Sequence, residues 1–457
     1  MSEGININKL KKLYFIGIGG IGMSSLAQYF YNRGCKVSGY DKAHSAVTEM
    51  LENFGIVVNY FENEDNISDD TDLVVYTPAI NITNKELAYA MNNGFNVVKR
   101  SDLLAAVCEG KYCIAVAGTH GKTTVTAMIA NIFDGCGIPM EAFVGGICKT
   151  TGSNLYSSNG ARIVVVEADE YDRSFLKLKP DISVVTSVEI DHLDIYGEKV
   201  QLIDAFREFS SIAKPSNRIV NYKYKDILPT NNTYGFDKNA KCRIVEYSYQ
   251  NGLADIIIND GKRDVKFTDM PIRGRFNMEN FCAAFSVAAL LKFDYSKVEL
   301  AMRNYKGVSR RFDVLYQDDK VVYIDDYAHH PEQVETLLDA IHEVYPGKKI
   351  CGFFQPHLYS RTKLFMDQFA DVLSKFDEMY LLDIYPAREL PIEGVTSHEL
   401  FIRMNRMNVN KGSVILKNTI AQIARKTDAE IIVTIGAGNI DRSCNEIVEM
   451  LKEKHNE

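Results

Sequence analysis

The sequence predicts an α/β protein of three domains, built on mostly parallel sheets. Three observations carry that expectation. An apolar run passes into a glycine-rich turn at Gly17, a second run enters a different glycine turn at Gly118, and strand-like and helix-like patterns alternate beyond Lys320. Alternation of this kind builds parallel strands joined by crossover helices. A chain of 457 residues also exceeds one ordinary core, since single cores stop growing near roughly 250–300 residues. The expected boundaries give domains 1–107, 108–314 and 315–457.

In the first domain, Leu13–Ile18 reads as a strand, and Met23, Leu26, Ala27 and Phe30 mark one face of a helix closed by Gly34. Lys36–Asp41 reads as a second strand ending in an acid, with further strands at 56–60, 73–76 and 96–99. The turn Gly17-Ile18-Gly19-Gly20-Ile21-Gly22 fits Gly-x-Gly-x-x-Gly between strand and helix, a Rossmann-like arrangement. Glycines there let the backbone approach a diphosphate, and the helix start offers N–H groups and the positive end of its dipole. Asp41 stands about 20 residues on, where an acid can accept ribose hydroxyls.

The second domain opens with a strand at 112–117 and the loop Gly118-Thr119-His120-Gly121-Lys122-Thr123-Thr124, then a helix over 123–133. The strict Walker pattern would put its first glycine at Val116, but the Gly-x-x-Gly-Lys-Thr core keeps the physics of a P-loop ATPase-like domain. Backbone N–H groups cradle phosphates, Lys122 offsets charge on a transferred phosphoryl group, and Thr123 offers a hydroxyl to Mg²⁺. Strands at 162–166 and 182–187 end in Glu167-Ala168-Asp169-Glu170 and Asp191-His192-Leu193-Asp194. Carboxylates at such strand ends suit Mg²⁺. A helix over 200–212, a small appended β-sheet over 217–267 and an Ala-rich helix over 274–291 complete this domain.

The third domain, also Rossmann-like, follows Arg310-Arg311-Phe312. Its expected strands are 320–324, 349–354, 379–382, 413–416 and 431–435, with helices at 332–344, 360–375 and 420–425. Asp325-Asp326-Tyr327-Ala328-His329-His330-Pro331 closes its first strand, and Gln355-Pro356-His357-Leu358-Tyr359-Ser360-Arg361 its second. His330 reads equally well as a helix-start residue, whereas Arg361 suits a bidentate grip on a carboxylate.

Composition narrows the function. Lysine plus arginine total 52 against 60 acids, a net charge of −8, so no basic surface for nucleic acid is expected. No apolar run approaches the roughly 20 residues that span a bilayer, and Met1–Lys12 lacks the apolar segment of a secretory signal. Nine cysteines, an odd number without a Cys-x-x-Cys pair, argue against structural zinc and disulfides and for a reducing cytoplasm. Two unlike phosphate turns imply two nucleotide-like ligands. Hydride transfer needs only the first; phosphoryl transfer onto a nucleotide-linked substrate needs both.

Over nearly its whole length the chain resembles the Mur ligase family. The resemblance rests on the two glycine turns, Glu167–Glu170, Asp191–Asp194, Gly274-Arg275-Phe276-Asn277-Met278-Glu279-Asn280, Arg310–Phe312, Asp325–Pro331 and Phe354-Gln355-Pro356-His357, all in the same order. The first glycine turn, the double histidine and the Phe-Gln-Pro-His run point to the alanine-adding branch. That likeness implies an ATP-dependent ligase joining L-alanine to the lactyl carboxylate of UDP-N-acetylmuramate through an acyl phosphate, in cytoplasmic peptidoglycan precursor synthesis. It implies that Gly19, Gly20, Ile21 and Gly22 hold the UDP diphosphate, with Asp41 near the uridine. ATP falls to Gly118 through Thr124, with Asn280 at adenine, Arg311 at the phosphates or ribose and Asp326 at the ribose. Thr123, Glu167 and His192 form the implied Mg²⁺ site. Lys122, His192, His329, His357 and Arg361 surround the reacting groups, and the enzyme is expected to be a monomer or homodimer.

Departures from the family pattern are Phe276, where many members carry His, and Leu358, where many carry Arg. Arg207 stands where sister ligases place a carbamylated lysine, so no carbamate is expected. Three other readings stay open: a ligase attaching a recycled peptide to the same sugar, a non-catalytic UDP-sugar sensor, and a dehydrogenase.

Overall fold

The computed structural model describes residues 5–189, 199–387, 389–406 and 411–456. Met1–Ile272 with Asn277–Gly307 make one compact unit, and Arg273–Phe276 with Val308–Glu457 the other.

The first unit contains two sheets. Strands β1 (Lys12–Ile16), β2 (Lys36–Tyr40), β3 (Val57–Asn59), β4 (Leu73–Tyr76) and β5 (Val97–Lys99) run parallel in the order β3-β2-β1-β4-β5. Leu13 and Phe15 join the core of helix α1 (Ile21–Asn32), while Tyr14 and Ile16 pack with Leu87 and Ala90 of α3 (Lys85–Asn92). Burial on both faces is what a parallel sheet under crossover helices requires. Helices α2 (Ala46–Asn53) and α4 (Arg100–Cys108) complete the layers. The strand order reverses at β1, so a crevice opens at its carboxyl end, where the first glycine turn lies.

The second sheet has ten strands: β6 (Tyr112–Ala117), β7 (Met140–Cys148), β8 (Ser153–Ser157), β9 (Ile163–Glu167), β10 (Ile182–Val185), β11 (Arg218–Asn221), β12 (Asn232–Gly235), β13 (Cys242–Gln250), β14 (Leu253–Asn259) and β15 (Asp264–Met270). Their order is β15-β14-β13-β12-β11-β10-β6-β9-β7-β8. The strands expected as an appended sheet therefore continue the central one, because β12 pairs in parallel with β13 before the antiparallel β13–β15 meander begins. Alternate residues Ala254, Ile256 and Ile258 of β14 are buried. Phe267 of β15 meets Phe281 and Phe285 edge-on. Those two rings stand on α7 (Arg275–Leu290); α5 (Lys122–Gly135), α6 (Lys199–Ile212) and α8 (Tyr295–Arg303) are the other helices.

A buried polar network ties α1 to β8. Gln28 Nε2 donates to Asn154 Oδ1 at 2.8 Å, Ser153 Oγ to Gln28 Oε1 at 2.7 Å, and Asn154 Nδ2 to Ser24 Oγ at 3.0 Å. Asn154→Ala removes an acceptor from Gln28 Nε2 and a donor from Ser24 Oγ, two buried hydrogen bonds, and should destabilise the unit by roughly 1–3 kcal/mol. An unchanged urea midpoint would show that the network adds nothing.

The second unit holds β16 (Asp313–Gln317), β17 (Val322–Asp326), β18 (Ile350–Phe354), β19 (Glu378–Leu381), β20 (Gly412–Val414) and β21 (Ile431–Ile435), ordered β16-β17-β21-β18-β19-β20. β16 pairs antiparallel with β17, and the other pairings among the described strands are parallel. Its helices are α9 (Pro331–Val344), α10 (Tyr359–Leu364), α11 (Met366–Leu373), α12 (Ser397–Asn405), α13 (Ile420–Lys426) and α14 (Cys444–Asn456). The helix expected over 360–375 is two pieces, broken at Phe365, whose φ of −112° and ψ of 21° are not helical. The Phe365 ring packs against His330, 5.0 Å between centroids. Among the described residues no helix is long and apolar enough to cross a membrane.

Candidate active site

Strand β6 delivers the loop 118–121 to the start of α5, as the spacing predicts. Gly118 has φ +144°, and a Cβ there would lie 2.0 Å from Thr186 Oγ1, so only glycine fits. Gly121, φ +83°, is the N-cap of α5, and a Cβ on it would meet Asn280 Oδ1 at 2.6 Å. Asn280, in the second turn of α7, is thereby placed against the phosphate loop. The loop is held from β10: Thr119 N donates to Ser187 O at 3.1 Å and His120 N to Ser187 Oγ at 2.7 Å. His120 Nε2 stands 3.6 Å from Glu189. Thr123 and Thr124 are buried in the first turn of α5.

Lys122 Nζ donates to Gly118 O at 2.6 Å and lies 2.9–3.0 Å from both oxygens of Glu170. Burial by itself would weaken its hold on a proton, but Glu170, with Glu167 and Asp169 behind it, outweighs burial and raises the ammonium above the usual lysine range. Burial likewise lifts the Glu170 carboxyl above its ordinary value, against the pull of Lys122. Sequence reasoning singled out Glu167 of this acidic run and missed Glu170. Spacing shows three acids at a strand end but not which of them turns inward.

Glu167 ends β9 beside β7. Its Oε2 accepts the Gly145 N–H at 2.8 Å, and a Cβ on Gly145 would fall 2.2 Å from that oxygen. Neither β7 nor this glycine was anticipated. Gly145→Ala should push the carboxylate aside and cut turnover at least about tenfold, with the larger rise in apparent KM falling on Mg²⁺–ATP. Wild-type kinetics in this variant would remove Glu167 from the site.

The first glycine turn is braced from β2. Gly17, φ +85°, donates to Tyr40 O at 2.7 Å, Gly19 N to Asp41 Oδ2 at 2.8 Å, and Gly20 N to Gly17 O at 3.1 Å. Asp41 Oδ1 also accepts from Ala43 N at 3.3 Å. Here the Gly19 and Gly20 amides serve the turn itself. Ile21 and Gly22, in the first turn of α1, lack intrahelical acceptors for their N–H groups.

In the second unit, the predicted residues at the ends of β17 and β18 converge. Asp326 accepts from Phe312 N at 2.7 Å and Ala328 N at 2.8 Å, so it fixes the loop that carries Arg311. The Arg311 guanidinium carbon lies 5.1 Å from the Tyr327 ring centre. His330 caps α9, the helix-start role the sequence allowed. His329 Nδ1 lies 2.8 Å from Tyr327 O. A carbonyl only accepts, so Nδ1 carries the hydrogen and Nε2 is left as an acceptor. Arg361 Nη1 lies 3.2 Å from His357 Nδ1, which sets the opposite tautomer, because arginine only donates. The His357 ring stacks on Tyr385 at 5.6 Å and lies 6.2 Å from His329. Burial and then the Arg361 charge push His329 down to about 3 and His357 down to about 4. Two neutral imidazoles beside a guanidinium can receive a carboxylate. Leu358, in place of the family arginine, has φ +71° at the start of α10.

Asp191, His192 and Asp194 lie outside the described residues. Among the described residues no three His, Cys, Asp or Glu side chains group as a metal site. Mg²⁺ does not demand one, since it keeps several waters and binds through one or two carboxylates plus phosphates. The Thr123 hydroxyl and Glu167, whose Oε1 is not the oxygen held by Gly145, fit that habit.

Comparison with known proteins agrees with this geometry. Three family models match in succession: "Mur ligase family, catalytic domain" over 12–112, "Mur ligase middle domain" over 116–288, and "Mur ligase, glutamate ligase domain" over 310–449. The UDP-N-acetylmuramate–L-alanine ligase of Christiangramia forsetii is 40% identical, covering 98% of this chain and 99% of that protein. The enzyme of the same name from Flavobacterium psychrophilum is also 40% identical, covering 98% and 100%. Among solved structures, UDP-N-acetylmuramate-alanine ligase MurC of Thermotoga maritima superposes with a TM-score of 0.83 at 26% identity, covering 97% of this chain and 99% of that one. A murein peptide ligase of Psychrobacter arcticus shares the fold at a TM-score of 0.68 and 21% identity, covering 96% and 98%.

Proposed function

The chain belongs to the Mur ligase family, and from that premise we infer that it joins L-alanine to the lactyl carboxylate of UDP-N-acetylmuramate, consuming ATP. The observation that carries the reading is the coexistence of two differently built glycine turns, one after β1 and one after β6, with the cluster of His329, His357 and Arg361 at the ends of β17 and β18. The product is a peptidoglycan precursor, and the work belongs in the cytoplasm, where ATP and UDP-sugars are available.

A carboxylate at neutral pH resists attack by an amine. Transfer of the γ-phosphoryl group to the lactyl oxygen gives an acyl phosphate and releases ADP. Lys122 leaves Gly118 O and Glu170 for the phosphates, where it offsets the charge spread over the transferring group. The N–H groups at the start of α5 cradle the triphosphate, Asn280 meets the adenine, and Arg311 and Asp326 serve the nucleotide. Thr123 and Glu167, with His192 as the resemblance implies, would hold Mg²⁺, which would supply charge neutralisation at the phosphates. Alanine then attacks the acyl carbon as a free amine, and phosphate leaves. His329, with Nε2 unprotonated, accepts the ammonium proton once a bound carboxylate offsets Arg361 and raises its basicity. The amides of Ile21 and Gly22 take the UDP diphosphate. Asp41, which keeps lone pairs beyond those used by Gly19 and Ala43, takes a uridine hydroxyl.

The test is the product. Purified protein with ATP and UDP-N-acetylmuramate should yield UDP-N-acetylmuramoyl-L-alanine by mass spectrometry when given L-alanine. Preference for a tripeptide acceptor would assign the chain to peptide recycling instead.

A further inference from the structure

We propose that Glu389 is a positioning residue for substrate capture: its carboxylate clamps the start of α10 and so fixes Arg361 beside His357. The proposal rests on the reading above, in which these two side chains receive a substrate carboxylate. The chain leaving β18 does not make a relaxed turn. Leu358, the N-cap of α10, has φ +71° and ψ 134°, a conformation that costs a branched side chain energy and persists only where neighbours over-determine it. The helix it starts holds six residues, too few to be stable by themselves. Contacts from outside this stretch must therefore hold it.

The chain beyond β19 supplies them at two points. At the first, Tyr385 pairs in parallel with His357. Tyr385 N donates to Pro356 O at 2.8 Å and Leu358 N to Tyr385 O at 2.9 Å, while the two rings stack 5.6 Å apart at 17°. At the second, Ser360 N donates to Glu389 Oε2 at 2.8 Å and Ser360 Oγ donates to Glu389 Oε1. Both carboxylate oxygens thus engage one residue, the one before Arg361. Arg361 Nη1 in turn lies 3.2 Å from Nδ1 of His357, four residues back. Burial works against the charge on Glu389, but the bonds from Ser360 and Tyr359 and then the Arg361 guanidinium outweigh it and hold the carboxyl below its ordinary value. A guanidinium grips a carboxylate through two parallel N–H···O bonds, so affinity depends on the plane in which it is held. Tyr385 sets the imidazole and Glu389 sets the backbone that carries the guanidinium. The phosphate loop after β6 belongs to the other unit, so loosening the clamp leaves it unchanged.

The experiment is a double-mutant cycle on the full chain, read as KM for L-alanine, for UDP-N-acetylmuramate and for ATP, with kcat alongside. Glu389→Ala should raise, about tenfold, the same KM that Arg361→Ala raises, and leave KM for ATP within about twofold. In the Arg361→Ala background, removing Glu389 should add less than about twofold, because a residue that acts through Arg361 has nothing left to position. Glu389→Gln keeps the size and one acceptor oxygen and should lose less than Glu389→Ala; it takes that variant's place in the cycle if Glu389→Ala does not fold. Effects that multiply in the double variant, a KM for ATP that rises equally, or a folded Glu389→Ala protein with wild-type constants would each overturn the proposal. An Arg361→Ala protein whose KM values all match the wild type would instead remove the carboxylate-receiving role beneath it.

Discussion

Replacing Lys122 by alanine stops phosphate release, turnover falling by at least about 10³-fold, while affinity for UDP-N-acetylmuramate stays within about twofold. The loss follows from where the charge develops: a transferring phosphoryl group spreads negative charge over its oxygens, and fixed cations there dominate catalysis. The selectivity follows from the fold, since Lys122 stands on the loop after β6 and the diphosphate turn stands after β1 in a different sheet. The substitution also removes the cation beside the buried Glu170, which is destabilising because the carboxylate loses the charge that offsets its burial. Adding Glu170→Gln should restore thermal stability without restoring turnover. A folded Lys122→Ala protein that loses sugar binding and phosphate release together would contradict two separate sites.

Arg361→Ala should raise KM for L-alanine or for the UDP-sugar at least about 30-fold, the loss of a charge-assisted pair to a carboxylate. It should also change the imidazoles. In the wild type, His329 near 3 and His357 near 4 stay neutral from pH 5 to 8, so their ring proton resonances should not shift over that range. Removing the guanidinium moves both towards the ordinary value of 6.5, because a neighbouring positive charge that opposed protonation is gone. The linkage has a definite sign. Histidines depressed in the fold take up protons on unfolding, so stability present above about 6.5 is lost as pH falls towards their folded values. Asp325, buried and raised to about 6, works the other way: the stability it contributes below 3.8 is lost as pH rises through 6. Wild-type imidazoles that titrate near 6.5 would contradict this electrostatic picture.

The phosphate loops were legible because their glycines answer backbone demands that only one residue type meets, as Gly118 and Gly121 show. Convergence of His329, His357 and Arg361 was legible through the resemblance, and both motifs follow strands β17 and β18, which flank β21 in the sheet. Strands β7 and β8 were not. Gly145 and Gly146 break their pattern, and Glu141, fully buried, looks like a surface acid until Arg33 and Lys111 are seen to hold it. Glu170 meets Lys122, a partner far away in sequence, which spacing alone does not reveal. Asp41 looked like a ribose acceptor by position and Asp326 through the resemblance, yet each carboxylate first organises its own loop. Side-chain chemistry said where acids were needed, and backbone amides decided what they do before a ligand arrives.

The most direct measurement follows oxygen. UDP-N-acetylmuramate labelled with ¹⁸O in its lactyl carboxylate is converted with ATP and L-alanine, and the released phosphate is weighed by mass spectrometry. Activation as an acyl phosphate predicts one ¹⁸O in each phosphate, because the oxygen that attacked phosphorus departs with it. Phosphate free of label would contradict the account.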